Sequence, residues 1–189
     1  EATSKTTNIL VMGPWSHGAW GGPRGDGDKL GDVSFNAKTA VFYREHIELP
    51  FFEHHLKGKG DAKHPEAWVF ETGRNVWQKH DAWPPRDAKP RSLYFHAGSR
   101  LALDGKPPAG PTDAHDEYQS DPARPVPYLD KITIGMAAEY VTADQRFAGR
   151  RPDVLVYETD VLEEDFTLAG PIQAELFVST TGTDSDWVV

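Results

Sequence analysis

The chain has 189 residues, which is enough for one large domain or two modest ones. A net charge of -9 with no basic stripe argues against nucleic acid and anionic membranes as partners. The chain has no cysteine, which excludes disulfides, thiol catalysis and cysteine-bound zinc. Fifteen prolines and seventeen glycines favour many short strands and turns over long helices.

No apolar run approaches the ~18 residues that a membrane span needs. The first residues lack the pattern of a signal peptide. The chain begins close to a strand motif, and its last residues, Trp-Val-Val, resemble part of a strand. We therefore expect it to be a piece of a longer protein.

The most informative stretch is NILVMGPWSHGAW, residues 8–20. Residues 8–12 are a short, largely apolar run that predicts a buried strand, which Gly13 and Pro14 end because proline donates no backbone hydrogen bond. His17 therefore follows the end of a strand, where ligands bind in open α/β sheets. A neutral imidazole there can act as a general base near neutral pH. The alternative, a histidine that only hydrogen-bonds within its loop, is the commoner role of a lone histidine.

The next loop is rich in glycine and acidic residues. Asp26, Asp28 and Asp32 are oxygen ligands of the kind that calcium prefers. The EF-hand pattern fails, because Leu30 and Ala37 stand where oxygen ligands belong. We therefore expect a solvated acidic turn, with structural calcium as the alternative.

Helical spacing follows this loop. Ser34 is a suitable N-cap for a helix that begins near Phe35. Ala40, Tyr43 and Ile47 give this helix a partial apolar stripe.

Pro50 is expected to interrupt that helix. Phe52 and Leu56, an i, i+4 pair, predict a second short helix, and Gly58 provides its C-terminal stop. The adjacent His54 and His55 would point to different sides of this helix, so we interpret them as a polar face and not as a metal site.

A charged, glycine-containing linker over residues 57–66 separates two patterns and is the best domain boundary, which divides the chain into residues 1–62 and 63–189. After it, short strand-like runs alternate with proline and glycine turns, which is typical of a β-sandwich. The predicted strands are Ala67–Glu71, Val76–His80 and residues 92–96, 117–120, 154–158, 173–179 and 186–189. Residues 121–153 show no periodicity.

The pattern strand-Gly13-Pro14-Trp15-x-His17 resembles the histidine motif of a family of serine hydrolases. This family contains α-amino acid ester hydrolases, cocaine esterase, glutaryl acylase-like acyl esterases and, more distantly, X-prolyl dipeptidyl peptidases. The resemblance covers nearly the whole chain. Its further matches are residues 50–52, 56–57, 144–146, 151–154, 157–159 and 182–189.

The resemblance implies a mainly β fold with a smaller α/β part. Residues 1–62 would be the C-terminal part of an α/β-hydrolase catalytic domain, containing the last βα unit of its sheet. Residues 63–189 would form an incomplete jelly-roll β-sandwich. Residues 121–153 would wrap the interface between the two domains.

The resemblance also implies a serine acyl hydrolase that cleaves esters or amides, of the α-amino acid ester, acylase or X-Pro dipeptidyl peptidase type. In α/β-hydrolases the Ser-Asp-His triad runs in that order along the chain. No G-x-S-x-G occurs here, so His17 is the only triad member expected in these residues. Trp15 would line the acyl pocket or, alternatively, pack beneath the loop. No cofactor or metal is required.

The implied partners are a small ester, amide or short peptide substrate and the N-terminal remainder of the same enzyme, with a homo-oligomer as a further option. A periplasmic or secreted location is suggested, and a cytoplasmic one stays open. The alternative function is a noncatalytic carbohydrate-binding or assembly module. Its candidate sugar platforms are Trp20, Trp68, Trp77, Trp83 and Trp187. Aromatic residues in strands are more often core, which argues against this alternative.

Overall fold

The computed structural model describes residues 6–21, 25–61, 63–107, 114–135 and 138–183. The strand predicted at 186–189 and Trp187 lie outside these residues. The strands are β1 (Leu10–Met12), β2 (Lys29–Leu30), β3 (Val33–Ser34), β4 (Ala67–Glu71), β5 (Val76–His80), β6 (Leu93–His96) and β7 (Arg100–Leu103). The helical segments are α1 (Thr39–Tyr43), a π-helical turn (Arg44–Glu48), α2 (Leu49–Lys57), a 3₁₀ turn (Ala138–Thr142) and α3 (Arg146–Gly149).

A three-stranded sheet, in the order β1-β4-β5, forms the framework of the first part of the chain. β1 pairs in parallel with β4, with Leu10 opposite Ala67, and β4 pairs antiparallel with β5. A parallel pair needs a crossover connection, and α1 and α2 supply it. Within the part of the chain that the structure describes, no strand pairs with the other edge of β1.

The sheet crosses the linker at which the sequence pattern changes. β1 lies before residues 57–66, whereas β4 and β5 lie after them. The division into residues 1–62 and 63–189 stays a prediction, although the linker does not separate two sheets. The pattern could not show this, because a short apolar strand looks the same whether its neighbour is parallel or antiparallel.

The helix after the acidic loop begins later than the cap at Ser34 predicted. Asn36 has φ of 49°, a left-handed conformation that cannot continue a helix. The Ser34 hydroxyl donates to the Asn36 side chain, so it caps no helix. Phe35 instead lies in a loop, where it is buried, and its N–H donates to the Asp28 carbonyl at 2.9 Å. The helical ladder starts at Thr39.

Pro50 does not interrupt the helix as predicted. The chain winds continuously from α1 through the π-helical turn into α2, where Pro50 occupies the first turn. The Leu49 N–H donates to the Arg44 carbonyl five residues earlier, which is the π pattern. The wider turn directly precedes the proline, and the first turn of a helical segment tolerates its missing N–H.

Gly58 ends α2 as predicted. Its φ is 64°, its N–H donates to the His54 carbonyl, and the Lys59 N–H donates to the Glu53 carbonyl. The bond from Gly58 to His54 is that of the αL capping motif, which favours glycine at the left-handed position.

Replacing Gly58 with alanine should therefore lower the free energy of unfolding by about 1 kcal/mol. Open space surrounds a Cβ at this position, so the loss would come from backbone strain alone. Urea denaturation of the intact protein measures it. Gly58→Asn, which tolerates the left-handed region better, should lose less. Equal stability of wild type and Gly58→Ala would contradict the assignment.

The main core lies between the helices and the sheet and is strongly aromatic. The Phe42 ring stacks on Trp77 with centroids 5.5 Å apart and planes 15° apart, and it meets Trp68 edge-on. Phe70 contacts Phe35 from the neighbouring loop. The buried apolar side chains of this region are Phe35, Ala40, Ile47, Ala67, Trp68 and Phe70.

Beyond Ala67 the regular structure is mainly β, as predicted, but it contains fewer strands. Within the predicted strand 92–96, Leu93–His96 form β6, which pairs with β7 in a hairpin. Residues 117–120 form no strand, and residues 154–158 provide one isolated bridge, between Glu158 and Arg100.

The alternating run 173–179 is irregular and exposed, although its period-two pattern predicted a strand. A strand needs neighbouring backbone groups to pair with. The described part of the chain places none beside this run.

Much apolar surface stays uncovered. The accessible area is 15669 Å² for a chain of 21.0 kDa, whereas a compact monomer of this mass exposes about 9,000 Å². Ile132, Ile134, Val161 and Phe177 are almost fully exposed. No helix among the described residues is both long enough and apolar enough to cross a membrane.

Candidate active site

His17 lies in a tight turn beyond the C-terminal end of β1. The Ala19 N–H donates to the Ser16 carbonyl at 3.1 Å, and Gly18 has φ of 73°. A turn with positive φ at its second central residue only is type II, which requires glycine there. His17 occupies the first central position, and its side chain is exposed. The ring of Trp20 meets it edge-on at 6.1 Å between centroids.

Trp15 anchors the N-terminal side of the turn. Its half-buried ring lies 5.3 Å from Tyr43, 5.8 Å from Trp77 and 6.2 Å from Trp20, measured between centroids. A Cβ on Gly13 would lie 2.5 Å from this ring. Glycine at position 13 therefore lets the indole fold back over the end of its own strand.

The Trp15 indole also takes part in a hydrogen-bonded relay. Its Nε1–H donates to Thr39 Oγ1 at 2.7 Å, and the Thr39 hydroxyl donates to the Gly27 carbonyl at 2.6 Å. Thr39 is fully buried. Gly27 has φ of 70°, and a Cβ there would lie 2.6 Å from Thr39 Oγ1 and 2.7 Å from the Ala40 nitrogen. The relay thus joins the His17 turn, the start of α1 and the acidic loop.

Arg44 anchors the turn on its other side. Its guanidinium donates to the Trp20 carbonyl at 3.1 Å. Trp15 precedes His17 by two positions and Trp20 follows it by three, so both flanks of the turn are attached to the same helical segment. The exposed imidazole of His17 therefore lies on a braced turn, that is, a turn whose two flanks are both hydrogen-bonded to the helical segment.

Sequence reasoning singled out His17 and Trp15 but missed Thr39 and Arg44. Thr39 lies 24 positions from Trp15, and a threonine at the start of a helix resembles an ordinary cap. No local pattern pairs two such residues. The assignment of Trp15 to an acyl pocket stays a prediction, and its contacts favour packing beneath the loop.

The acidic loop has a structural role. Asp26 forms an ion pair with Lys38 at 2.8 Å, and the hydrogen bond and charge of Lys38 hold the pKa of this carboxyl below its usual range. The Asp26 carbonyl accepts the Ala40 N–H at 2.9 Å. Among the described residues, no three acidic or histidine side chains come together as a metal site.

The paired histidines of α2 lie away from this turn. His54 Nδ1 is 3.3 Å from the Gly60 carbonyl, and the His55 ring packs on Phe51 with centroids 4.4 Å apart. Burial lowers the pKa of the nearby His64.

The four described tryptophans of the proposed sugar platform differ in their exposure and contacts. Trp68 is buried, and Trp77 packs between Trp15 and Phe42. Trp83 meets His80 at 5.4 Å, and Trp20 is 37% exposed. Trp68 and Trp77 are thus core rings, which disfavours the carbohydrate-binding alternative.

Residues 58–189 match the model of a protein family described as the X-Pro dipeptidyl-peptidase C-terminal non-catalytic domain. The chain belongs to this family. The predicted resemblance is thereby confirmed. The His17 turn precedes the residues that the X-Pro dipeptidyl-peptidase C-terminal domain model matches.

Similar proteins are hydrolases. Cocaine esterase of Rhodococcus sp. (strain MB1 Bresler) is 32% identical over 187 residues, which are 94% of this chain and 32% of that protein. A solved aminopeptidase from the marine sediment archaeon Thaumarchaeota archaeon is 36% identical with a TM-score of 0.71, over 83% of this chain and 25% of its own. A solved α-amino acid ester hydrolase is 36% identical with a TM-score of 0.70, over 86% and 27%. The chain thus spans about a third or less of the length of these relatives.

Proposed function

We propose that the chain is the C-terminal part of a serine acyl hydrolase that cleaves esters or amides, with His17 as its general base. One observation carries this proposal: His17 is exposed in a braced type II turn beyond the carboxyl end of a parallel strand. Ligands of open α/β sheets bind at such ends. The names of the relatives, an esterase, an aminopeptidase and an ester hydrolase, support the reaction class.

In this mechanism His17 takes the proton from a serine hydroxyl as its oxygen attacks the substrate carbonyl. The imidazolium then gives the proton to the leaving alcohol or amine. In the second half of the reaction His17 takes a proton from water, which attacks the acyl-enzyme and releases the acid. The serine and the acid that orients His17 would come from other parts of the enzyme.

The crossover β1-α1-α2-β4 would be the last such unit of an α/β-hydrolase sheet, and its parallel pairing supports this assignment. β4 and β5 lie among the residues that match the C-terminal non-catalytic domain model, so the two parts would share this sheet. The β6–β7 hairpin and the residues after it would belong to a jelly roll.

The N-terminal remainder of the same enzyme would cover the surface that this chain leaves open. One edge of β1 has no neighbouring strand among the described residues, and Met12 is 56% exposed; both observations support this partner on the hydrolase side. The exposed apolar side chains of residues 161–178 support a second contact.

This proposal predicts that the isolated chain does not hydrolyse p-nitrophenyl esters, whereas the intact enzyme does. A base without its nucleophile gives no acyl-enzyme. Initial rates on equal molar amounts of the two proteins make the comparison. Adding the separately produced N-terminal part to the isolated chain should restore turnover if the two associate. Turnover by the isolated chain that a serine-directed phosphonate abolishes would show a nucleophile within these residues.

A further inference from the structure

We infer that Thr39 is a positioning residue for the reaction: its hydroxyl, acting through the Trp15 indole, fixes the turn that carries His17. This inference rests on the proposed role of His17 as general base. It concerns a residue on another element, with no contact to substrate.

The Thr39 hydroxyl both accepts and donates a hydrogen bond. Thr39 Oγ1 accepts the Trp15 Nε1–H at 2.7 Å and donates to the Gly27 carbonyl at 2.6 Å. Thr39 has no accessible surface, so water cannot replace either bond. Removing the hydroxyl would leave the half-buried Trp15 N–H and Gly27 carbonyl without this partner.

The hydroxyl is itself held in place. Thr39 is the first residue of α1, and the Ala40 N–H beside it donates to the Asp26 carbonyl at 2.9 Å. The space around Gly27 excludes a Cβ, so the loop carbonyl has little freedom to move. A β-branched side chain also has few rotamers. The Trp15 indole is therefore hydrogen-bonded to a hydroxyl whose position is fixed.

The position of Trp15 sets the position of His17 because only Ser16 lies between them. The Ser16 carbonyl also accepts the Ala19 N–H, and this bond closes the turn that contains His17. Ring contacts alone leave an indole free to slide in its plane, whereas its N–H bond defines one orientation. Proton transfer depends steeply on the placement of the base, since a shift of about 1 Å can cost about 10²-fold in rate. Binding of the substrate depends much less on this placement.

The test uses Thr39→Val in the intact enzyme, because valine keeps the shape and removes only the hydroxyl. We expect kcat for a p-nitrophenyl ester to fall by about 10- to 100-fold while KM changes less than about 3-fold. Thr39→Ser, which restores the hydroxyl, should keep kcat within about 3-fold of wild type. Trp15→Phe removes the other partner of the bond and should lower kcat to a similar degree.

The double variant Trp15→Phe/Thr39→Val should show a loss close to that of either single variant, because both changes remove the same bond. Ile47→Val is the matched control for stability. Ile47 is buried on the same helical segment and takes no part in the relay, so this variant should lose stability and keep kcat.

Wild-type kcat in a folded Thr39→Val enzyme would overturn the inference. If that variant does not fold, Trp15→Phe decides, and its wild-type kcat would overturn the inference equally. Fully additive losses in the double variant would also do so. The function of His17 is tested separately by His17→Ala. If His17→Ala loses activity but Thr39→Val keeps it, only the positioning role of Thr39 is wrong. If His17→Ala keeps activity, the proposed function itself is wrong.

Discussion

Replacing His17 with alanine in the intact enzyme should lower kcat by about 10⁴-fold or more, because the members of a catalytic triad act as a unit. KM should change far less, since the imidazole acts mainly in the transition state. Hydrolysis of a p-nitrophenyl ester under saturating substrate measures the effect. The exposed position of His17 at a type II turn makes loss of folding an unsuitable explanation for such a decrease.

The matched control is another histidine of the same chain. His55→Ala changes an exposed side chain of α2 whose ring contacts Phe51 and His54, and its kcat and KM should stay close to wild type. A His17→Ala enzyme with unreduced kcat would return His17 to the role of an ordinary loop residue.

Replacing Phe70 with alanine should cost about 3–5 kcal/mol of unfolding free energy, the range for a buried aromatic side chain. Phe70 is 6% exposed and meets Phe35 and Trp77 edge-on, at 5.7 Å and 5.6 Å between centroids. Its loss opens a cavity in the core on which the His17 turn rests, since Trp77 also contacts Trp15. Activity should therefore fall together with stability.

Denaturant unfolding of the intact protein, followed by tryptophan fluorescence, measures this loss. Phe52→Ala serves as the control, because Phe52 is 50% exposed on α2 and its removal leaves no enclosed cavity. We expect a cost below about 1 kcal/mol for that variant. A Phe70→Ala protein as stable as Phe52→Ala would show that the aromatic cluster does not form the core.

The sequence already contained several features that depend on neighbouring residues. Gly13 and Pro14 end a strand because of their own backbone limits, and Gly58 ends a helix for the same kind of reason. The hairpin of β4 and β5 follows from two apolar runs around a short turn. The strand-Gly-Pro-Trp-x-His pattern, in combination with the further matching segments, also indicated the family.

Only the tertiary structure decided which distant segments meet. Pairing of β1 with β4 joins residues on both sides of a linker that local pattern treated as a boundary. The same limit explains residues 173–179, whose alternation is correct for a strand but whose partner is absent among the described residues. Hydrogen bonds between strands depend on what lies alongside, which periodicity within one segment cannot specify.

The His17 turn shows the division most clearly. The sequence by itself determined that a histidine follows a strand in a loop of tryptophan and glycine. The tertiary structure decided that Thr39, 24 positions from Trp15, completes its support. The physical reason is that a buried hydroxyl is satisfied by whichever groups the packed core brings to it, and that packing depends on the whole fold.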